Sequence, residues 1–316
     1  MRGFRRIATI ALGIDLLAWA PSSALAQAAR PANESVTVTG TRSREVLQGF
    51  VGSLAVPTRF AGKMARWMSG ICPVTVGIRP EFANFINHRL KEVAAQVGAP
   101  VNGRGSCRPN IAIVFTARPQ ALAEDIRKRQ PALLGYFDNS EQGKHLATVT
   151  HSIQAWYMTA TRDVDGGLQI DTPKPAVLVN RMEFPCSPPI CPDGKITLYP
   201  PRVVTTTGLH LGDGLRSEFY NVIIVADPTK LLSYEMGELS DYIAMLALIQ
   251  IASQDTCQAL PSIANLLAAN CATRSSGLTE YDFAFLRGLY KMSPGVMLGT
   301  QKDEISYQME QELKGH

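Results

Sequence analysis

The residues Ser217-Glu218-Phe219-Tyr220-Asn221-Val222-Ile223-Ile224-Val225-Ala226-Asp227-Pro228, with the run that follows them to Ser253, decide how this chain is read. Val222 to Val225 are four consecutive β-branched residues, the composition of a strand covered on both faces. Asp227-Pro228 ends the strand, because proline lacks a ladder donor and fixes φ. A long helix is expected from about Leu231 to Ile251. Its first half is acidic, with Glu235, Glu238 and Asp241; its second half, from Ile243 to Ile251, is apolar nearly all round, with Gln250 the one plainly polar side chain. A helix apolar on every side is buried, so this one should run through the middle of the domain. Carboxylates near a helix start complement its dipole by roughly 0.3–1 kcal/mol each, and that accounts for the acidic half without any chemistry.

Upstream the order reads β-α-β-α. Pro73 to Ile78 is a strand candidate. Pro80 opens a helix whose Phe82, Ile86, Leu90, Val93 and Val97 recur at three and four, with Gly98 and Pro100 ending it. Asn110 to Phe115 reads as a second buried strand, and Gln120 to Arg129 as a helix closed by Pro131. Phe60 to Met68 reads as a short basic amphipathic surface helix anchored by Trp67. His145 to Asp163 supplies polar and aromatic strand material, chiefly Ile153 to Thr161. The stretch from Pro185 to Pro201 holds six prolines and two cysteines, and reads as a structured but irregular loop, the kind of rigid element that binds partners. Downstream, Pro261 to Ala269 reads as an apolar helix, Thr279 caps the next one with Asp282 at its third position, and Ile305, Met309 and Leu313 mark a last amphipathic helix.

The chain has 316 residues, 46% hydrophobic and 18% charged, an ordinary globular composition. Arg2, Arg5 and Arg6 precede an apolar run from Ile7 to Ala20, and Ala24-Leu25-Ala26 offers small residues at the cleavage positions. Residues 1–26 are therefore expected to be a secretory signal peptide cut before Gln27, 27–45 a flexible leader, and 46–316 one globular domain. No later run reaches the roughly 18 apolar residues of a membrane span. Net charge is +4, and about +2 without the signal, which argues against a nucleic-acid partner. Six cysteines in an exported chain suggest disulfides. They allow fifteen connectivities; nearest-neighbour pairing, Cys72–Cys107, Cys186–Cys191 and Cys257–Cys271, closes the shortest loops. No C-x-x-C spacing supports the rival, a metal cluster. The expected compartment is the periplasm of a Gram-negative bacterium, or its exterior.

Motifs for common chemistries are missing from the sequence. There is no G-x-S-x-G nucleophile elbow, no Walker loop and no complete G-x-G-x-x-G, and no cofactor is expected. The histidines are His88, His145, His151, His210 and His316; no two are four apart.

Leu278-Thr279-Glu280-Tyr281-Asp282, continued by Ala284, Leu286, Arg287, Leu289 and Tyr290 and preceded by the strand-to-helix unit and a Cys-bracketed segment, resembles a bacterial family of secreted proteins of unknown function with a zincin-like fold. The resemblance implies that Gly237-Glu238-Leu239-Ser240-Asp241 stands where zincins carry H-E-x-x-H, two histidines binding zinc with a glutamate to activate water. Only the glutamate is kept: Gly237 has no donor, and Asp241 alone does not make a zinc site.

The expected fold is α+β or α/β, a small mixed sheet carrying a long buried central helix. The expected function is non-catalytic binding of a protein or peptide partner, with Glu235, Glu238 and Asp241 and the Pro185–Pro201 loop as the candidate surface. The alternatives are a metallohydrolase using Glu238 as base and Asp241 as one of several unusual metal ligands, and a structural envelope protein.

Overall fold

The β-branched run at residues 222–225 lies within an eleven-residue strand at the centre of a mixed sheet. The computed structural model describes residues 40–103, 107–163, 166–173, 182–185, 195–198 and 215–314. In chain order its elements are α1 (Gly40–Leu54), β1 (Ala65–Arg66), β2 (Pro73–Val76), α2 (Pro80–Gln96), β3 (Ile111–Phe115), α3 (Pro119–Arg129), α4 (Ser140–Leu146), β4 (Ile153–Arg162), β5 (Leu168–Ile170), β6 (Met182–Pro185), β7 (Lys195–Leu198), β8 (Arg216–Ala226), α5 (Met236–Leu248), α6 (Glu280–Lys291) and α7 (Leu298–Lys314). The architecture is α+β, as expected.

The main sheet runs β2-β3-β8-β4-β5. Strands β2, β3 and β8 are parallel, while β4 is antiparallel to both β8 and β5. Short β1 pairs parallel with the first part of β8, at Ser217 and Glu218, ahead of the residues that β3 occupies. Both faces are covered, which is why the central strands read as continuous apolar runs. Ile111, Ile113, Val222 and Ile224 point into the larger core with α1, α2, α5, α6 and α7. Their neighbours Ala112, Val114, Ile223 and Val225 meet a smaller core built with α3 and the 3-10 turn Pro131–Leu134. In α5 every residue from Leu239 to Leu248 is buried.

Several expectations are corrected. The central helix starts at Met236, later than Leu231. The Asp227 side chain accepts from the Thr229 amide and hydroxyl and winds Pro228–Lys230 into a 3-10 turn, and Glu235 is extended before the helix begins. The 60–68 segment is not a surface helix. Trp67 is 1% exposed and donates its indole N–H to the Ala247 carbonyl, so the chain runs extended here and joins the sheet as β1. The 261–269 segment holds only one 3-10 turn, Ile263–Asn265, capped by the Ser262 hydroxyl and tied to its surroundings by Asp282, which accepts the Ile263 amide, and by Asn265, which accepts the Gln258 amide. Helix α1 begins at Gly40, inside the stretch expected to be a flexible leader, and buries Leu47, Phe50, Val51 and Leu54. Within the 185–201 loop, residues 195–198 are a strand pairing antiparallel with β6, in keeping with the alternation of Lys195, Ile196, Thr197 and Leu198. Cys186 and Cys191, and residues 1–39, lie outside the described residues.

Candidate functional site

At the start of α5 the three candidate carboxylates are separated by their bonding. Glu235 is exposed and precedes the helix. Glu238 is half-buried, and its Oε2 accepts the Glu235 amide at 3.1 Å, so this carboxylate satisfies one of the orphan donors of the helix start. Asp241 is 7% exposed and faces α2. Its Oδ1 accepts from Arg89 Nε at 2.6 Å, and its Oδ2 accepts from Arg89 Nη2 and, at 3.0 Å, from the Leu278 amide. The hydrogen bond to Asp241 is the largest influence holding the Arg89 guanidinium above its ordinary pKa. This is a bidentate, charge-assisted pair joining α2, α5 and the chain entering α6. Among the described residues no three His, Cys, Asp or Glu side chains converge as a metal ion requires. His151 is engaged elsewhere, by the Thr150 hydroxyl and Asp255. His88 and His145 are exposed on helices, and His210 and His316 are not described.

The 278–290 motif is a joint between segments. Thr279 caps α6, accepting the Asp282 amide while Asp282 Oδ2 accepts the Thr279 amide. The same carboxylate is wholly buried and also accepts from the Ser262 hydroxyl and the Ile263 amide, fastening the 3-10 turn to the helix. Burial raises its pKa despite these bonds. Ala284, Leu286 and Leu289 fill the large core, and the half-buried Tyr290 places its hydroxyl 3.5 Å from the Trp67 amide. The residues that carry the family resemblance therefore hold packing positions.

A concave site lies elsewhere, along the outer edge of β4. In an antiparallel strand alternate residues direct N–H and C=O to the same side, and in β4 the odd-numbered residues face away from β8. The Ile153 carbonyl there accepts from Gln254 Nε2, and the Thr159 carbonyl accepts the Asp171 amide. Between them stand Ala155 and Tyr157, and among the described residues no strand pairs with this stretch. After Asp171 the hairpin does not continue: the Thr172 amide bonds back to the Ile170 carbonyl, and Pro173 follows. Pro173 has no N–H to give, so the hairpin ladder stops after Asp171. Gly135, at φ +96°, closes on the Tyr157 carbonyl so tightly that a Cβ would sit 2.6 Å from its oxygen. Gln254 and Gly135 thus guard the edge on either side of Ala155. A cleft of about 170 Å³ opens here, with Ala155, Trp156 and Thr159 on its floor and Arg59, Tyr136 and Gln250 around it. A second depression, between α6 and α7, has its charged groups Arg287 and Glu312 bonded to each other.

Sequence reasoning did not find the β4 cleft. Its one signal was the pair of prolines two residues apart just beyond β5, which marks the end of a ladder. The partner of Asp241 had no local signal at all, since Arg89 lies 152 residues away.

Among the described residues there are two disulfides, Cys72–Cys107 and Cys257–Cys271, with the expected pairing. They fit an oxidising compartment outside the cytoplasm. Among the described residues no helix is long and apolar enough to cross a membrane. The chain matches no family model, no curated protein and no solved structure.

Proposed function

We propose that this chain is an exported, non-catalytic binding protein with a degenerate zincin-like architecture, taking a protein or peptide partner, and that its signal peptide directs it to the periplasm of a Gram-negative bacterium or beyond. The observation that best supports the reading is the use of both α5 carboxylates by the fold. Asp241 is held by Arg89 and the Leu278 amide, and Glu238 is turned onto the helix start. A water-activating glutamate needs a metal beside it; one oxygen of this glutamate, Oε2, is turned onto the helix start as a cap. The partner's contact is assigned to the β4 cleft, where Ala155 presents a main-chain donor and acceptor to one extended residue, with apolar and hydroxyl groups around it.

The test has two arms. Elemental analysis of protein purified without chelator should find no stoichiometric zinc, and Glu238→Ala should leave peptide retention unchanged. Peptides selected from a random library on the immobilised protein should be lost by Ala155→Pro, which removes an outward N–H and leaves the β8 ladder intact. Stoichiometric zinc, with a peptidase activity that Glu238→Ala abolishes, would establish the metallohydrolase instead. Equal retention by Ala155→Pro would move the contact elsewhere.

A further inference from the structure

Behind Thr159 the structure holds a carboxyl group with no role in the reading above. Asp171 follows β5 and is 1% exposed. It stands opposite Thr159 in the hairpin register, and its two oxygens accept from the hydroxyls of Thr159, at 2.6 Å, and Thr161, at 2.8 Å, which share one face of β4. Among the described residues no cation pairs with it. The adjacent guanidinium, Arg162, is spent on Glu218 through two hydrogen bonds and on the Gly166 carbonyl. Glu218 on β8 adds a like charge, and Arg216 lies opposite Arg162 in the ladder. The neighbouring Thr58 and Ser217 bond to each other. An ionised carboxylate buried against hydroxyl donors alone is poorly solvated, and a neutral one is not.

We infer that the β4–β5 hairpin carries an acid-favoured closure: with its proton, Asp171 seats against Thr159 and Thr161, and without it the end of β5 opens more often to let water reach the carboxylate. Burial, the largest influence, pushes the Asp171 carboxyl up to about 6 against the opposing pull of the two hydroxyls. The sign follows from linkage. A folded-state pKa raised above the open-state value stabilises the closed hairpin fully below that open-state value and loses the benefit as pH rises through about 6. Thr159 is also part of the cleft floor, so opening lengthens the strand edge that a ligand meets. That consequence rests on the peptide-binding reading; the closure itself does not.

Amide hydrogen exchange of the full chain, corrected for intrinsic rates, tests it. The opening constant at the Asp171 amide should be about tenfold larger at pH 7 than at pH 5, if the open-state carboxyl behaves ordinarily. In Asp171→Asn the two values should agree within about twofold. The carboxyl carbon resonance of Asp171 in the unmodified protein, which needs no variant, should titrate near pH 6. A titration near 4, or an equal pH dependence in Asp171→Asn, would overturn the inference. Because no ligand enters these measurements, they can fail while peptide binding stands, and the reverse.

Discussion

Asp241 and Glu238 sit one turn apart on the same helix and do different work. Asp241 is desolvated and takes a guanidinium that is itself mostly covered, its side chain 27% exposed. Removing it leaves the Leu278 amide without its acceptor and Arg89 with Glu92 alone, a loss of about 2–3 kcal/mol for a partly buried pair. Glu238 satisfies one amide at a helix start, where truncation costs about 1 kcal/mol. Urea unfolding of Asp241→Ala and Glu238→Ala should give destabilisations in that order. The reverse order would mean that the α2–α5 contact does not depend on the ion pair. The role of Asp241 was not legible from spacing, because its partner Arg89 is brought beside it only by the fold. The reading of Thr279 as a cap with Asp282 at the third helical position was legible and is what the structure contains, since a capping box is closed within four residues.

Helices α6 and α7 approach closely at Gly288. A Cβ there would lie 3.0 Å from the Ile305 carbonyl oxygen and 3.2 Å from its Cγ2, both on α7. Gly288→Ala must push the two helices apart and should lower stability by about 1–3 kcal/mol. Gly237, in the first turn of α5, has nothing within 4 Å of the same position, so Gly237→Ala should raise stability by up to about 1 kcal/mol through helix propensity. Thermal melts of the two variants should move in opposite directions. A periodic pattern shows that both are helical positions, and only the neighbouring element shows which glycine has no room. The same division explains β1. Its sequence has a basic amphipathic pattern, but the indole of Trp67 finds the Ala247 carbonyl inside the core, and this tertiary contact overrides the local signal.

Among the described residues the molecule is tied at two places. Cys257–Cys271 closes 14 residues around the Ser262–Asn265 turn, and Cys72–Cys107 closes 35 residues spanning β2 and α2. Chain-entropy arguments assign them about 3 and about 4 kcal/mol. Reduction should therefore lower the urea midpoint strongly. Cys72→Ala/Cys107→Ala should show a loss at least as large as Cys257→Ala/Cys271→Ala, and the opposite ranking would point to a native-state origin.

Composition and periodicity alone were enough for the β-α-β-α order, the buried strand at 222–225, the burial of α5 and the pairing of the four described cysteines. Each of these follows from burial pattern or from short loops, which are properties of neighbouring residues. The pairing of Asp241, the extended course of Trp67, and the guarded edge of β4 between Gln254 and Gly135 were settled only in the folded chain. Each depends on groups far apart in sequence meeting in a space where water cannot take the place of a missing partner.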